Sequence, residues 1–382
     1  MSNKRVLIAE ISGKRAGDST ARPTEMFEFD FDKVIISNNS EGYVTDWPII
    51  DVPSDYQDWY KAHIKTNDKA FYAPMNRSYA IKYAREKGYD YLIQLDDNIL
   101  SFGIRYMQKS GGLYATVKDT PHLDEVHNDI LRYLITVLEC TNAGIVGMPL
   151  YGSSVPSNDW LNERYVYSAF ALNLAIIPDI YHGDFEDDIE FRLKLKEMRI
   201  PSIQVAPFRY NKTSQNSNND LTGNRAAYQE EGLRRGETMS RIHGDIYSRG
   251  WSDRGSGTAR QEGKKEFRHK LKPFKVGVRV RDYQRLYDEM MVILDKYATL
   301  KKDTLEVKIN EAKTFYRVII AEESRRYSIL SELMQITIDT DSEFVVPKTG
   351  VDYVIKHSGA KSEALERALF ELMEKGGFEI DG

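Results

Sequence analysis

The sequence contains a single cysteine, Cys140, among its 382 residues. It therefore forms no internal disulfide and no cysteine-rich zinc site. All of its apolar runs are well short of the roughly 20 residues that cross a bilayer, so we expect no membrane partner. The amino-terminal residues MSNKRVLIAEI lead directly into a strand pattern and lack the apolar core of a signal peptide. These absences predict a cytoplasmic protein.

The sequence also lacks an excess of positive charge, because its formal net charge is -5. A chain with this charge is not an indiscriminate binder of polyanions, although a local basic face is compatible with it. A hydrophobic fraction of 41% and a charged fraction of 29% are typical of a globular protein with a substantial core. The length favours two domains, which we place at residues 1–265 and 266–382.

A phosphate-binding loop of the P-loop type is missing as well. The polar loop after the first predicted strand, SGKRAGDS, has two glycines and two adjacent cations but not the spacing of that motif. No Gly-rich loop bearing Lys or Arg in a nucleotidyltransferase pattern is found near the amino terminus. This disfavours a nucleotidyltransferase, which shares the same broad sheet plan.

What is present is an alternation of strand and helix patterns, which predicts an α/β domain with a Rossmann-like mixed sheet flanked by helices. The predicted strands cover Arg5–Ile11, Lys33–Ser37, Tyr91–Leu95, Ala143–Leu150 and Ile203–Phe208, and Tyr165–Ile177 is predicted to form one long strand or two. The predicted helices cover Asn76–Lys87, with Asn76 as its N-cap, His127–Cys140 and a segment that starts at Asp187.

A smaller α+β module is predicted to follow. Its helices are expected near Asp282–Leu300 and Ser362–Lys375, and its strands near Leu305–Ile309, Phe315–Ala321 and Met334–Ile338.

The stretch YDYLIQLDDNIL is the centre of the functional prediction. Its apolar strand ends in Asp96, Asp97 and Asn98, and ligands of open α/β sheets bind at the carboxyl ends of strands. Adjacent carboxylates repel each other unless a positive charge compensates them, and a divalent cation shared with substrate phosphates is a common solution. The alternative is a solvated loop or a helix N-cap.

A second acidic group lies about ninety residues later. It comprises Asp184, Glu186, Asp187, Asp188 and Glu190. A carboxylate here, if it faced the same crevice, could take a proton from an acceptor hydroxyl as a general base. The alternative is the solvated acidic first turn of an amphipathic helix.

Two runs carry a resemblance to a known family. NRSYAIKYAREKGYDYLIQLDDNI resembles the helix, strand and Asp-x-Asp pattern of GT-A glycosyltransferases, and GDFEDDIEFRLKL is similar to the later Glu-Asp motif of that fold. With its tail, the chain most resembles the phage TET-associated glycosyltransferases, over roughly residues 4–260. That family is thought to add sugars to hydroxymethylated pyrimidines in DNA, such as 5-hydroxymethylcytosine.

The resemblance implies a GT-A-like fold, a nucleotide-sugar donor with a UDP-sugar as first candidate, and a divalent metal, Mn²⁺ or Mg²⁺. Matched position by position, Asp96 would contact the donor with Asn76 and Arg77, and Asp188 or Asp187 would be the base. The metal would be held by Asp97 and Asn98, with His243 as a later ligand. Asn98 stands where the family usually has aspartate, so this site has less charge.

A DNA acceptor is supported by cations in the Lys264–Arg285 segment and by arginines 234 to 260, since such side chains bind phosphates without sequence preference. A base inside a duplex would have to flip out before its hydroxymethyl group reacts. If the protein is phage-encoded, its compartment is the host cytoplasm. Alternatives are a solvated linker instead of a DNA contact, a glycosyltransferase with a saccharide acceptor, and a non-catalytic nucleic-acid-binding protein with structural acidic clusters.

Overall fold

A computed structural model of the chain describes part of its length. The described residues are 4–13, 22–64, 72–107, 114–116, 127–151, 153, 160–182, 187–212, 237–252, 266–271, 276–294, 296, 315–320, 351–356 and 378–381.

The strands are numbered in chain order. They are β1 (Val6–Ser12), β2 (Asp32–Ser37), β3 (Ile49–Asp51), β4 (Tyr91–Asp96), β5 (Ile99–Met107), β6 (Tyr114–Thr116), β7 (Ile145–Gly147), β8 (Leu161–Glu163), β9 (Ala169–Asn173), β10 (Ser202–Val205), β11 (Phe208–Lys212), β12 (Tyr247–Ser252), β13 (Glu266–Leu271), β14 (Phe315–Ile320), β15 (Val351–Lys356) and β16 (Phe378–Asp381). The helices are α1 (Arg22–Met26), α2 (Ser54–His63), α3 (Tyr72–Glu86), α4 (His127–Cys140), α5 (Asp187–Glu197), α6 (Glu237–Ile242) and α7 (283–294).

Eight strands form one mixed sheet in the order β3-β2-β1-β4-β9-β7-β10-β8. The first four are mutually parallel. Strand β9 runs antiparallel to both β4 and β7, and β8 runs antiparallel to β10. The prediction of a mixed α/β sheet flanked by helices is therefore confirmed, and the arrangement is compatible with a Rossmann-like fold.

Alternating side chains of the sheet face two helical layers, because successive strand residues point to opposite faces. On one face, Leu7, Ala9 and Ile11 of β1 belong to a buried cluster that includes residues of α2, α3 and α5. On the other face, Ile8 belongs to a cluster with residues of α4 and α7. The sheet thus lies between two layers of apolar packing.

The strand order places a topological switch between β1 and β4. The chain runs outward from β1 through β2 to β3 and then returns to place β4 on the other side of β1. The register aligns Ser12 with Ser37 and Ile11 with Asp96, so these strands end at one edge. Open α/β sheets bind ligands in the crevice at such a point.

Helix α7 packs on the layer that contains α4. Leu286 and Met290 are buried in the same cluster as the apolar residues of α4. The Tyr133 hydroxyl donates to the Leu286 carbonyl at 2.9 Å, and Thr136 donates to Glu289 at 2.6 Å. Residues of α7, which the sequence prediction assigned to the carboxyl-terminal module, therefore contribute to the core beneath the large sheet.

A strand pair also joins residues on the two sides of the predicted boundary at residue 265. Strands β12 and β13 are antiparallel and pair Tyr247 with Leu271 at one end and Ser252 with Glu266 at the other. Farther along the chain, β14 pairs with β15 and β16 in a small antiparallel sheet. Strand β14 confirms the predicted strand at Phe315–Ala321. The strands predicted near Leu305–Ile309 and Met334–Ile338, and the helix near Ser362–Lys375, lie outside the described residues.

Several element predictions are confirmed and others need correction. Helix α4 begins and ends at the predicted residues, and α5 begins at Asp187 as expected. The single strand predicted over Ile203–Phe208 is two strands, because a turn at residues 206–207 separates β10 from β11. The prediction that Asn76 caps α3 is wrong, since α3 starts at Tyr72 and Asn76 lies inside it.

In the described part of the chain, no helix combines the length and apolar character needed to span a bilayer.

Candidate functional site

The carboxyl ends of β1 and β4 are joined by side-chain hydrogen bonds. The Ser12 hydroxyl donates to Asp97 Oδ2 at 2.8 Å, and the Ser12 and Tyr43 hydroxyls are 2.7 Å apart. Asp97 is 8% exposed although it follows the strand directly. The acidic end of β4 is therefore turned into the crevice at the switch point, and the interpretation as a solvated loop does not describe Asp97.

Arg77 connects the two acidic groups that the sequence separates by ninety residues. Its guanidinium donates to Asp96 Oδ1 at 2.5 Å, and its Nε forms an ion pair with Asp187 Oδ2 at 3.1 Å. Arg77 and Gln94 also exchange hydrogen bonds, from Arg77 Nη1 to the Gln94 side-chain oxygen and from Gln94 Nε2 to the Arg77 carbonyl. The start of α5 and the end of β4 thus share one buried cation.

The Arg77 guanidinium stays charged in this position. Burial opposes its charge, but Asp96 and Asp187 outweigh burial and raise the pKa of Arg77 above its ordinary value. The guanidinium also lies over the Phe170 ring, 5.4 Å from its centroid. Planar, fixed donors of this kind suit carboxylate and phosphate groups.

Asp96 has a second cationic partner that the sequence analysis did not find. Lys212, the last residue of β11, places its ammonium 3.2 Å from Asp96 Oδ2. Burial raises the pKa of Asp96, but the charges of Lys212 and Arg77 outweigh it and lower that pKa to about 2. We call Arg77, Asp96, Asp187 and Lys212 the strand-end cluster. Two positive and two negative charges make its formal net charge zero.

Asn76 lies beside this cluster on the first part of α3. Its Nδ2 donates to the Ser12 carbonyl at 2.8 Å and to Asn38 Oδ1 at 3.1 Å. The side chain is 2% exposed, and its Oδ1 has no hydrogen-bond partner among the described residues. A buried acceptor without a partner costs free energy, which makes Asn76 Oδ1 a candidate ligand contact.

The oxygens of Asp97 and Asn98 fit part of a divalent-cation site. Asn98 Oδ1 is buried and has no hydrogen-bond partner in the described part of the chain, and the adjacent Asp97 supplies a carboxylate. No group of three His, Cys, Asp or Glu side chains within the described ranges is arranged to hold a metal. Mg²⁺ and similar ions are commonly held by one or two carboxylates together with substrate phosphates and water, so two protein ligands suffice for such a site.

The two candidate bases differ in their environment. Asp187 is buried and engaged with Arg77. Asp188 is half-buried, its Oδ1 accepts the Ile189 N–H at 2.8 Å, and it borders a small cavity that Tyr181 and Arg192 also line. Asp188 is therefore the more accessible carboxylate. Asp184 and Glu186, the other members of this acidic group, lie outside the described residues.

His243 is engaged by two glutamates of α5. Its Nε2 is 3.1 Å from Glu190 Oε1, and its Nδ1 is 3.0 Å from Glu197 Oε1. We call Glu190, Glu197 and His243 the histidine cluster. Burial opposes protonation, but the two carboxylates outweigh it and raise the pKa of His243 above 6.5. A metal bound at His243, as predicted from the sequence, would have to replace one of these two hydrogen bonds.

The histidine cluster holds α5 to the residue that follows α6. Glu190 is fully buried, and its other carboxylate oxygen accepts the His182 N–H at 2.8 Å. Burial raises the pKa of Glu190. Glu190, a member of the second acidic group, is therefore engaged inside the protein by His243 and by the His182 N–H.

The basic segment proposed for DNA contact is described only in part. Arg279 and Arg281 are exposed. Arg285 is paired with Glu139 at 2.9 Å and with Glu289 at 2.8 Å, so its charge is compensated within the protein. Lys264, Lys265 and residues 272–275 lie outside the described residues.

The sequence analysis missed Lys212 and Gln94, and only Gln94 carried a signal in its sequence surroundings. In the sequence, Lys212 is followed by a run dense in Ser, Asn and Thr, a context in which a lysine is ordinarily solvated. Gln94 did interrupt an apolar strand, and this was the one available signal, since a buried glutamine needs partners. The chain matches no protein-family model, and it has no significant match among curated proteins or solved structures.

Proposed function

We propose that this protein is a glycosyltransferase that moves a sugar from a nucleotide-sugar donor to a hydroxyl acceptor. The observation that carries the proposal is Arg77, which joins Asp96 and Asp187 at the carboxyl edge of the sheet. The two acidic groups that the resemblance singles out are therefore adjacent in space. A donor diphosphate, a cation and an acceptor hydroxyl would have to meet at such a place.

In this proposal the residues have separate tasks. Asp97 and Asn98 would hold a divalent cation, which when bound supplies Lewis-acid stabilisation of the departing diphosphate. Arg77 orients Asp96 and Asp187 and fixes α5 against β4. Asp188, the more accessible carboxylate, would accept the proton of the acceptor hydroxyl in an inverting reaction. In a retaining reaction it would have a different role.

The acceptor we propose is a hydroxymethylated pyrimidine in DNA. Its support is the resemblance of the two acidic runs, together with exposed Arg279 and Arg281 in the described part of the basic segment. A saccharide acceptor is the second candidate, since the net charge of -5 does not favour a polyanion. The two differ in whether product formation depends on DNA.

The deciding experiment is a nucleotide-release assay in Mn²⁺ with UDP- and GDP-sugars. The acceptors are DNA containing 5-hydroxymethylcytosine or 5-hydroxymethyluracil, with unmodified DNA as control. We expect release that requires both metal and modified DNA and that falls at least about a hundredfold in Asp97→Ala and Asp188→Asn. Asp58→Ala, which removes an exposed carboxylate on α2, is the matched control and should retain activity.

Each other outcome assigns the protein differently. Release without any dependence on DNA keeps the glycosyltransferase and removes the DNA acceptor. Activity that is unchanged by Asp97→Ala and Asp188→Asn contradicts the site. Absence of both release and nucleotide binding would favour the non-catalytic alternative, in which the acidic residues are structural.

A further inference from the structure

Two local features of the backbone position Lys212 against the end of β4. The pairing of β11 with β5 shifts register between Asn211 and Lys212, which is a β-bulge or a comparable irregularity. Bulges occur next to functional sites, where they change the direction of a side chain. Here the shift coincides with the residue whose ammonium contacts the end of β4.

The second feature is Ser168, which precedes β9. Its φ of 58° is a left-handed conformation that non-glycine residues seldom adopt. In this conformation the Ser168 carbonyl accepts the Asp96 N–H at 2.8 Å, and its hydroxyl lies 2.7 Å from Lys212 Nζ. Backbone conformations of this kind cost free energy and are concentrated at functional sites. Ser168 therefore holds the backbone of Asp96 and the side chain of Lys212 together.

The ammonium of Lys212 has donor capacity beyond these contacts. It carries three N–H donors, and the described residues account for two of them, at Asp96 and Ser168. Its side chain is 18% exposed, so the remaining donor is close to solvent yet held by two fixed acceptors. Asn76, which precedes Arg77 of this cluster on α3, has a buried Oδ1 without a partner among the described residues and is a second sign of an incomplete polar site.

A simple ion pair would not need this arrangement. Arg77 already donates to Asp96 Oδ1, and Lys212 adds a second cation on Oδ2. Asp96 is thus a carboxylate that holds two cations in place at the edge where the donor would bind. Its two oxygens are both engaged, which leaves the metal-binding task to the neighbouring Asp97 and Asn98.

We propose that Lys212 binds a phosphate group of the nucleoside diphosphate portion of the donor, with Asp96 and Ser168 as its positioning residues. This inference rests on the proposed function, because it identifies part of the same donor site. The protein would then contribute one fixed, charge-assisted hydrogen-bond donor to the diphosphate in addition to the divalent ion. Donor binding should therefore retain a component that does not depend on metal.

Isothermal titration calorimetry of the full chain tests this inference. The probes are UDP and GDP, each measured in Mn²⁺ and in EDTA. Binding of the corresponding nucleosides is followed by ligand-observed NMR. We expect the wild-type protein to bind one nucleoside diphosphate in both conditions. Lys212→Met should weaken that binding on the order of tenfold in both and leave the nucleoside unchanged, because a charge-assisted hydrogen bond to phosphate is lost.

Two further variants separate binding from folding. Lys212→Arg keeps the charge and should retain most of the affinity, and Lys61→Met removes an exposed lysine on α2 as the matched control. Equal affinity of wild-type and Lys212→Met protein for the diphosphate would overturn the inference. So would an equal loss for nucleoside and diphosphate together with a lower melting temperature.

Failure of the proposed function is distinguishable from failure of this inference. If the wild-type protein binds neither UDP nor GDP, the donor site itself is wrong and both proposals fall. If it binds one of them and Lys212→Met binds it equally well, only the role of Lys212 falls.

Discussion

The strand-end cluster and the histidine cluster both involve α5, yet they differ in what they leave available. In the histidine cluster, both nitrogens of His243 face carboxylates and Glu190 is fully buried. In the strand-end cluster, Lys212 has a donor beyond its two described contacts, and Asn76 beside it has a buried oxygen without a described partner. Asp187 of the first cluster and Glu190 of the second are only three positions apart on α5.

The difference suggests how structural and functional polar groups can be told apart in one helix. Buried polar groups are normally satisfied, and a satisfied network stabilises one arrangement of the chain. A network with capacity left over, beside a strained backbone such as that of Ser168, is better explained by a ligand. On this criterion the strand-end cluster is the better candidate for a ligand site, whereas the histidine cluster joins α5 to the residue after α6.

Arg77→Met should cause the greatest loss of stability. The substitution leaves Asp96 and Asp187 partly buried without their shared cation, and removal of one partner of a buried ion pair costs about 3 to 5 kcal/mol. Urea denaturation would measure this loss in the free energy of unfolding. Arg132→Met is the control, because Arg132 pairs with Asp129 at an exposed position, where ion pairs contribute less than about 1 kcal/mol. Similar losses in the two variants would contradict the bridging role of Arg77.

A smaller effect is expected for Asp96→Asn, and it depends on pH. The folded-state pKa of Asp96 is about 2, below its ordinary 3.8. Its charge therefore stabilises the fold fully above about pH 4, and this contribution disappears as the pH falls from about 4 to 2. The variant should lose about 2 kcal/mol at pH 7 and little at pH 2. Unfolding curves between pH 2 and pH 7, with Asp58→Asn as control, would measure this pH dependence of the free energy of unfolding. A loss of stability that does not change with pH would contradict the prediction.

The smallest effect is expected for His243→Asn. The raised pKa of His243 stabilises the fold below pH 6.5, and this contribution is lost as the pH rises through the folded-state value. We expect a loss of about 1 kcal/mol at pH 6 that diminishes at higher pH. The Mn²⁺ affinity of the same variant, compared with that of the wild-type protein, tests whether His243 has a structural or a metal-binding role. Unchanged affinity would support a structural His243, whereas a large loss would support its predicted role as a metal ligand.

The elements that could be predicted are those whose pattern is local. The predicted and observed bounds of α4 agree, because its apolar period is strong. The start of α5 at Asp187 could be predicted because an acidic first turn suits the helix dipole. The error at Asn76 has a local cause too, since asparagine is a favoured N-cap. The chain instead uses its amide to join α3 to Ser12. That contact is not visible in sequence spacing.

The alternation of strands and helices, the acidic end of β4 and the acidic start of α5 can be read from local sequence, because hydrophobic period and residue type act over a few neighbouring positions. Which charges meet depends on how the chain packs. Sheet order brought Asp96 and Asp187 to one arginine, and a register shift in β11 brought Lys212 to Asp96. Packing also brought His243 Nε2 within 3.1 Å of Glu190 Oε1, residues that lie far apart in the sequence. Such pairings depend on strand order, register and burial, which are properties of the packed chain and not of any segment of it.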